Sequence, residues 1–147
     1  MGTSLQADDP CVTQDTARTY RRTAVETASP AERRLMLLEG AVTWSRSLGA
    51  ALDAEDFEAI AESSERCRAI LIVLGTDLDT RVHPDLAERL ASLHFWLYQS
   101  VVDATSSADL GDVIELLEFQ RDAWRDAVDV LRSGNGTAPA ETIDLAG

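Results

Sequence analysis

Two histidines, two cysteines and 26 acidic side chains are the groups in this 147-residue chain that could do chemistry. Helical proteins most readily use such residues for a di-iron centre, which needs a Glu-x-x-His on each of two helices. The positions three before His83 and His94 are Thr80 and Ala91, so that centre cannot be assembled. The same two histidines do not have the spacing of a zinc-binding pair, and both read as unliganded. Neither a Gly-rich phosphate loop nor a nucleophile elbow is present. All 13 basic residues are arginine, which removes Schiff-base chemistry and any phosphate-loop lysine. Cys11 and Cys67 cannot form a disulfide framework, and Cys67 falls where a small apolar core residue would pack. No catalytic residue, metal ligand or cofactor is expected, so an enzyme is not expected either. Function must lie in a surface.

The charge narrows what that surface can meet. A net charge of −13 and a pI near 4.4 repel nucleic acid phosphates and anionic lipid headgroups. The first nine residues, Met1 to Asp9, have neither the basic region nor the apolar run of a secretory signal. The longest apolar run, Ala69 to Leu74, is far shorter than the roughly 20 residues that span a membrane. A soluble, cytoplasmic protein is expected. Its length suits one domain with one core, and 45% hydrophobic residues suffice to fill it.

The elements follow from periodicity and stop signals. Residues 1–19 are polar and unpatterned and read as a mobile N-terminal arm. Residues 20–132 read as a helical bundle, and residues 133–147 as a disordered, turn-rich tail. The first predicted helix starts at Ser29-Pro30-Ala31-Glu32, a capping box with proline at the first helical position. Its seam is Leu35, Leu38, Val42, Leu48 and Leu52, and the acidic stretch Asp53 to Asp56 ends it. The second carries Phe57, Ile60, Ser64, Cys67, Leu71, Leu74 and Leu78. The third opens at Pro84 with a seam of Leu86, Leu90, Leu93, Leu97, Val101 and Ala104. The fourth follows a Ser106/Asp109 cap, runs through Leu110, Ile114, Leu117, Trp124, Val128 and Leu131, and stops at Gly134. The fold class is all-α, an antiparallel four-helix bundle.

The third helix has more apolar surface than a bundle needs. Opposite its seam stand Ala91, Phe95, Tyr98 and Val102, and Phe95 lies about 200° around the helix from Leu93. The fourth helix repeats this with Leu116, Phe119, Ala123, Ala127 and Val130. An apolar groove between these two helices suits an amphipathic client helix. Ala91, Phe95, Tyr98, Val102, Leu116, Phe119 and Ala123 are its expected residues.

Several blocks of the chain occur in a fixed order: Tyr20, Val25, Thr27-Ala28-Ser29-Pro30, Leu37-Leu38-Glu39-Gly40-Ala41, Leu74 through Asp79, Leu93-His94-Phe95-Trp96, Val113 through Leu117, and Trp124. In that order they resemble the flagellar export chaperones of the FliS type, over most of the chain from Tyr20 to Leu131. The departures are Leu38, where the family usually has tyrosine before Asp-Gly-Ala, and His94 and Trp96, where tyrosine is common. The resemblance implies a cytoplasmic chaperone that binds the disordered C-terminal segment of flagellin. Such a chaperone blocks premature polymerisation and assists delivery to the flagellar type III export apparatus, whose gate components are further implied partners. It implies no ATP, metal or other cofactor. Tyr20 and Val25 inherit the part of an N-terminal plug that lies over the client surface and moves aside. A helical adaptor or regulator that binds a folded partner is the competing expectation, and it predicts no binding of an isolated flagellin C-terminal peptide.

Overall fold

The computed structural model describes residues 10–134, with side chains from Asp15 onward, those of Ala24 and Val25 excepted. The elements are α1 (Pro10–Thr27), α2 (Pro30–Asp53), α3 (Phe57–Thr76), α4 (Pro84–Asp103), a 3-10 turn (Ser107–Leu110) and α5 (Gly111–Gly134). No strand occurs among the described residues.

The start signals act as read. Ser29 Oγ accepts the Glu32 amide at 3.2 Å, and Glu32 Oε2 accepts the Ser29 amide at 3.1 Å. Each partner satisfies a donor that the first turn of α2 leaves free, and a cap of this kind contributes about 0.5–2 kcal/mol. Asp56 caps α3 by accepting the Ala59 amide at 3.1 Å. Ser106 and Asp109 form a second reciprocal box at the 3-10 turn. Asp53 Oδ1 accepts the Ser107 amide at 3.0 Å, tying the end of α2 to the 3-10 turn that precedes α5.

α2, α3, α4 and α5 form the antiparallel bundle. α2 packs along α3 on one side and α5 on the other, and α4 packs along α3. The fourth edge, between α4 and α5, is sparsely packed. The core joins Leu38, Val42 and Leu48 of α2, Cys67, Leu71 and Leu74 of α3, Leu97 and Val101 of α4, and Leu110, Val113 and Leu117 around α5. Cys67 is a core thiol: Sγ lies 3.2 Å from Ser45 Oγ, and burial pushes its pKa up.

The structure adds detail at both ends of the bundle and departs from the predicted seams. The arm assigned to residues 1–19 is helical from Pro10 on, as the first part of α1. The side chains of α1 that are described, Asp15 to Thr23 with Glu26 and Thr27, are exposed. The threonine hydroxyls of Thr19, Thr23 and Thr27 donate to carbonyls one turn back, so α1 satisfies its polar groups locally. The tail lies outside the described residues, except that Ser133 and Gly134 finish α5. At the seam ends, Phe57, Leu86 and Leu131 are exposed, because the bundle has no further layer there to receive them. α4 is also turned from the predicted face. Its buried stripe is Ala87, His94, Leu97 and Val101, while Leu93 is only half-buried against the core.

Local chemistry explains why a histidine takes the place expected for Leu93. His94 Nδ1–H donates to the Leu90 carbonyl at 2.7 Å, so one ring nitrogen is satisfied within its own helix. Gly75 faces it from α3. A Cβ at Gly75 would come within 3.2 Å of His94 Cβ, and this glycine lets the two helices meet over the imidazole.

Candidate functional site

A groove of about 280 Å³ runs between the last turns of α3 and the middle of α4. Leu71 and His94 form its floor, Ile72, Gly75 and Thr76 one wall, and Ala91, Phe95 and Tyr98 the other. Helical spacing places these residues. Ile72 is one position past Leu71, at the edge of the buried face of α3, and Phe95 is one past His94 in the same relation on α4. Phe95 is 68% and Ile72 52% exposed, so two large apolar side chains stand in water on facing rims. Val102, two turns beyond Phe95 on the same stripe, is also exposed.

The groove is electrically quiet. His94 is 1% exposed, and burial holds its pKa below the ordinary histidine value. The Leu90 hydrogen bond opposes that effect, and the nearby Arg34 charge adds to it. The ring is therefore neutral near pH 7, with the proton on Nδ1. Its Nε2 has no hydrogen-bond partner among the described residues, and neither has the side-chain nitrogen of Gln120. The Gln120 side chain favours the charged ring, against the effect of burial. Among the described residues, no group of three or more His, Cys, Asp or Glu is placed to hold a metal ion. What this arrangement can do is bury apolar side chains.

The structure brings together Ala91, Phe95 and Tyr98, as the sequence suggested, with Tyr98 half-buried against the core. It does not bring Leu116, Phe119 and Ala123 into the same groove. Phe119 and Ala123 line a second hollow of about 310 Å³ on the opposite side of α4, with Arg34, Leu78, Leu90 and Trp124. Leu116 is half-buried against the core. The buried stripe of α4 separates the two hollows. Sequence reasoning missed Ile72, Gly75 and Thr76. Their signal was the run Ala69 to Leu74, six apolar residues in a row, which is more than one helix face can bury. Tyr20 is exposed on α1, and the side chain of Val25 lies outside the described residues.

The sequence pattern of the family described as "Flagellar protein FliS" matches residues 13–130, from within α1 almost to the end of α5. The chain belongs to the FliS family of flagellar proteins. It is similar to the flagellar secretion chaperone FliS of Bacillus subtilis (strain 168), at 27% identity over 112 residues. That alignment covers 74% of this chain and 83% of the relative. FliS is a chaperone family, not an enzyme family. The family match takes in both hollows, the turn between α2 and α3, and most of α1. Among the described residues, no helix of this FliS-family chain is long and apolar enough to cross a membrane.

Proposed function

We propose that this FliS-family chaperone acts on flagellin in the cytoplasm. It binds the disordered C-terminal segment of flagellin, prevents premature polymerisation and assists delivery to the flagellar type III export apparatus. Components of the export gate are proposed as further partners. It needs no cofactor and has no catalytic role. The observation that carries the reading is the α3/α4 groove, where Phe95 and Ile72 stand exposed beside a neutral, apolar floor. A client segment that folds on binding spends about 2–5 kcal/mol or more on becoming ordered. Burial of apolar side chains in such a groove can offset that cost, at about 25 cal/mol per Å². We place the client helix along Ala91, Phe95, Tyr98 and Val102, with Leu116, Phe119 and Ala123 meeting it where it continues onto the α4/α5 side.

Size-exclusion chromatography with light scattering tests the reading. Intact flagellin is expected to give a complex of one chaperone to one client, and flagellin lacking its C-terminal segment none. Equal binding of both forms would favour an adaptor for a folded partner instead.

Tyr20 and Val25 are proposed as an intramolecular competitor for part of the client surface. Deleting residues 1–22 is then expected to tighten client binding or speed association in an isothermal titration. A large loss of affinity would make this segment part of the binding surface.

A further inference from the structure

Arg34 stands in an unusual position for a charged side chain. It lies in the second turn of α2 and is half-buried, yet no carboxylate among the described residues comes within ion-pair distance of it. Its two terminal nitrogens both reach the Leu74 carbonyl at 3.4 Å, long for a charge-assisted bond. The guanidinium lies over Trp124, with Cζ 5.5 Å from the ring centroid. Burial disfavours its charge and the nearby Asp77 favours it, but a guanidinium stays protonated in a protein. Of its five N–H donors, roughly three have no protein acceptor among the described residues. Beside it in the α4/α5 hollow sits Gln120, whose side-chain nitrogen is shut away from water without a partner. Leu78, Leu90, Phe119 and Ala123 supply its apolar lining, and Asp77 and Asp79 line it as well.

We propose that this hollow is a carboxylate seat, in which Arg34 receives a carboxylate carried by the bound client segment, its apolar stem lying against Phe119 and Trp124. The proposal rests on the client reading above and specifies which chemical feature of the client is recognised. Three observations select this ligand. A planar guanidinium with unused donors matches a carboxylate in two-point contact. Asp77 and Asp79 stand exposed at the rim, and Asp79 is already engaged by Arg81. Their charges oppose a divalent anion such as phosphate more strongly than a monoanion. A protein of net charge −13 also draws free anions poorly from solution. A carboxylate tethered to a segment already docked beside α4 arrives at high effective concentration and escapes that limit.

The first test needs no client. The full-length protein is titrated with hexanoate and, separately, with hexanamide, following the Trp124 indole N–H and the Gln120 side-chain amide by NMR. Hexanoate is expected to shift both signals saturably and at least fivefold further than hexanamide does, and Arg34→Gln is expected to lose the difference. Equal responses, or none, would overturn the seat and show that Asp77 and the Leu74 carbonyl already satisfy Arg34. The second test measures an isolated flagellin C-terminal peptide, whose affinity for Arg34→Gln is expected to fall at least fivefold. Amidating the peptide terminus, or replacing its Asp and Glu by Asn and Gln, then identifies which carboxylate is read, since the correct change abolishes the effect of Arg34→Gln. Unchanged affinity in Arg34→Gln refutes the client's use of the seat and leaves the client reading standing. Failure of the wild-type protein to bind the peptide refutes the client reading, and with it the claim that a client carboxylate fills the seat.

Discussion

Phe95→Asp is expected to leave the helical circular dichroism spectrum and the melting temperature close to wild type, while weakening binding of the flagellin C-terminal segment at least 30-fold. The stability half of this follows from exposure. Phe95 is 68% open to water, so its replacement removes little packing. The lower helix propensity of aspartate costs under about 1 kcal/mol. The binding half follows from position. Phe95 is the most exposed large side chain in the α3/α4 groove, facing Ile72 across Gly75. Aromatic anchors of this kind commonly cost about 2 kcal/mol or more when lost, and about 2 kcal/mol is close to 30-fold in affinity. A charge placed against an apolar client face adds a desolvation cost. Thermal melts and a binding titration decide it. If Phe95→Asp unfolds the protein, the stripe is core and the client lies elsewhere.

Leu97→Ala is expected to cost about 2–5 kcal/mol of folding stability, and Leu97→Asp to prevent folding altogether. Leu97 is fully buried in the cluster that α4 shares with α2, α3 and α5. Truncation there leaves a cavity bounded by several helices, and an aspartate has no buried partner waiting for it. The informative comparison is with Leu93, which sequence periodicity puts on the same seam. It is only half-buried, because the buried face of α4 centres on His94. Leu93→Ala is therefore expected to destabilise clearly less than Leu97→Ala in urea unfolding. Equal losses would mean that α4 is rotated toward the Leu93 face, and the groove built on Phe95 would have to be redrawn.

The contrast between Leu93 and His94 separates local information from global. The starts of α2 and α3 were legible because a cap involves only a few consecutive residues. Ser29 and Glu32 satisfy each other's amides, and Asp56 satisfies Ala59, whatever the rest of the chain does. The seams of α2, α3 and α5 were legible through Leu38, Val42, Leu71, Leu74, Leu110 and Leu117, since a repeat of three and four residues defines a face without reference to neighbours. The surplus of apolar residues on α4 was equally visible, and with it the inference that function resides in a surface.

What lies on either side of a seam is not local. A residue one position from the buried stripe is turned by about 100° and meets whichever helix packs there, and no repeat in α4 alone specifies whether that is α3 or α5. Only the packed bundle set Phe95 against Ile72 and Gly75 of α3 and left Phe119 and Ala123 with Arg34 across α4. The helicity of α1 was hidden for a related reason. Its described side chains are all exposed, so no apolar stripe marks it, and its threonines close their hydrogen bonds on their own backbone. The sequence by itself determined that this is a helical bundle of the FliS family with more apolar surface than its core consumes. The tertiary structure decided how that surface divides into two hollows, because the division depends on the rotation of α4, and that rotation is set by contacts with other helices, the close approach of Gly75 to His94 among them.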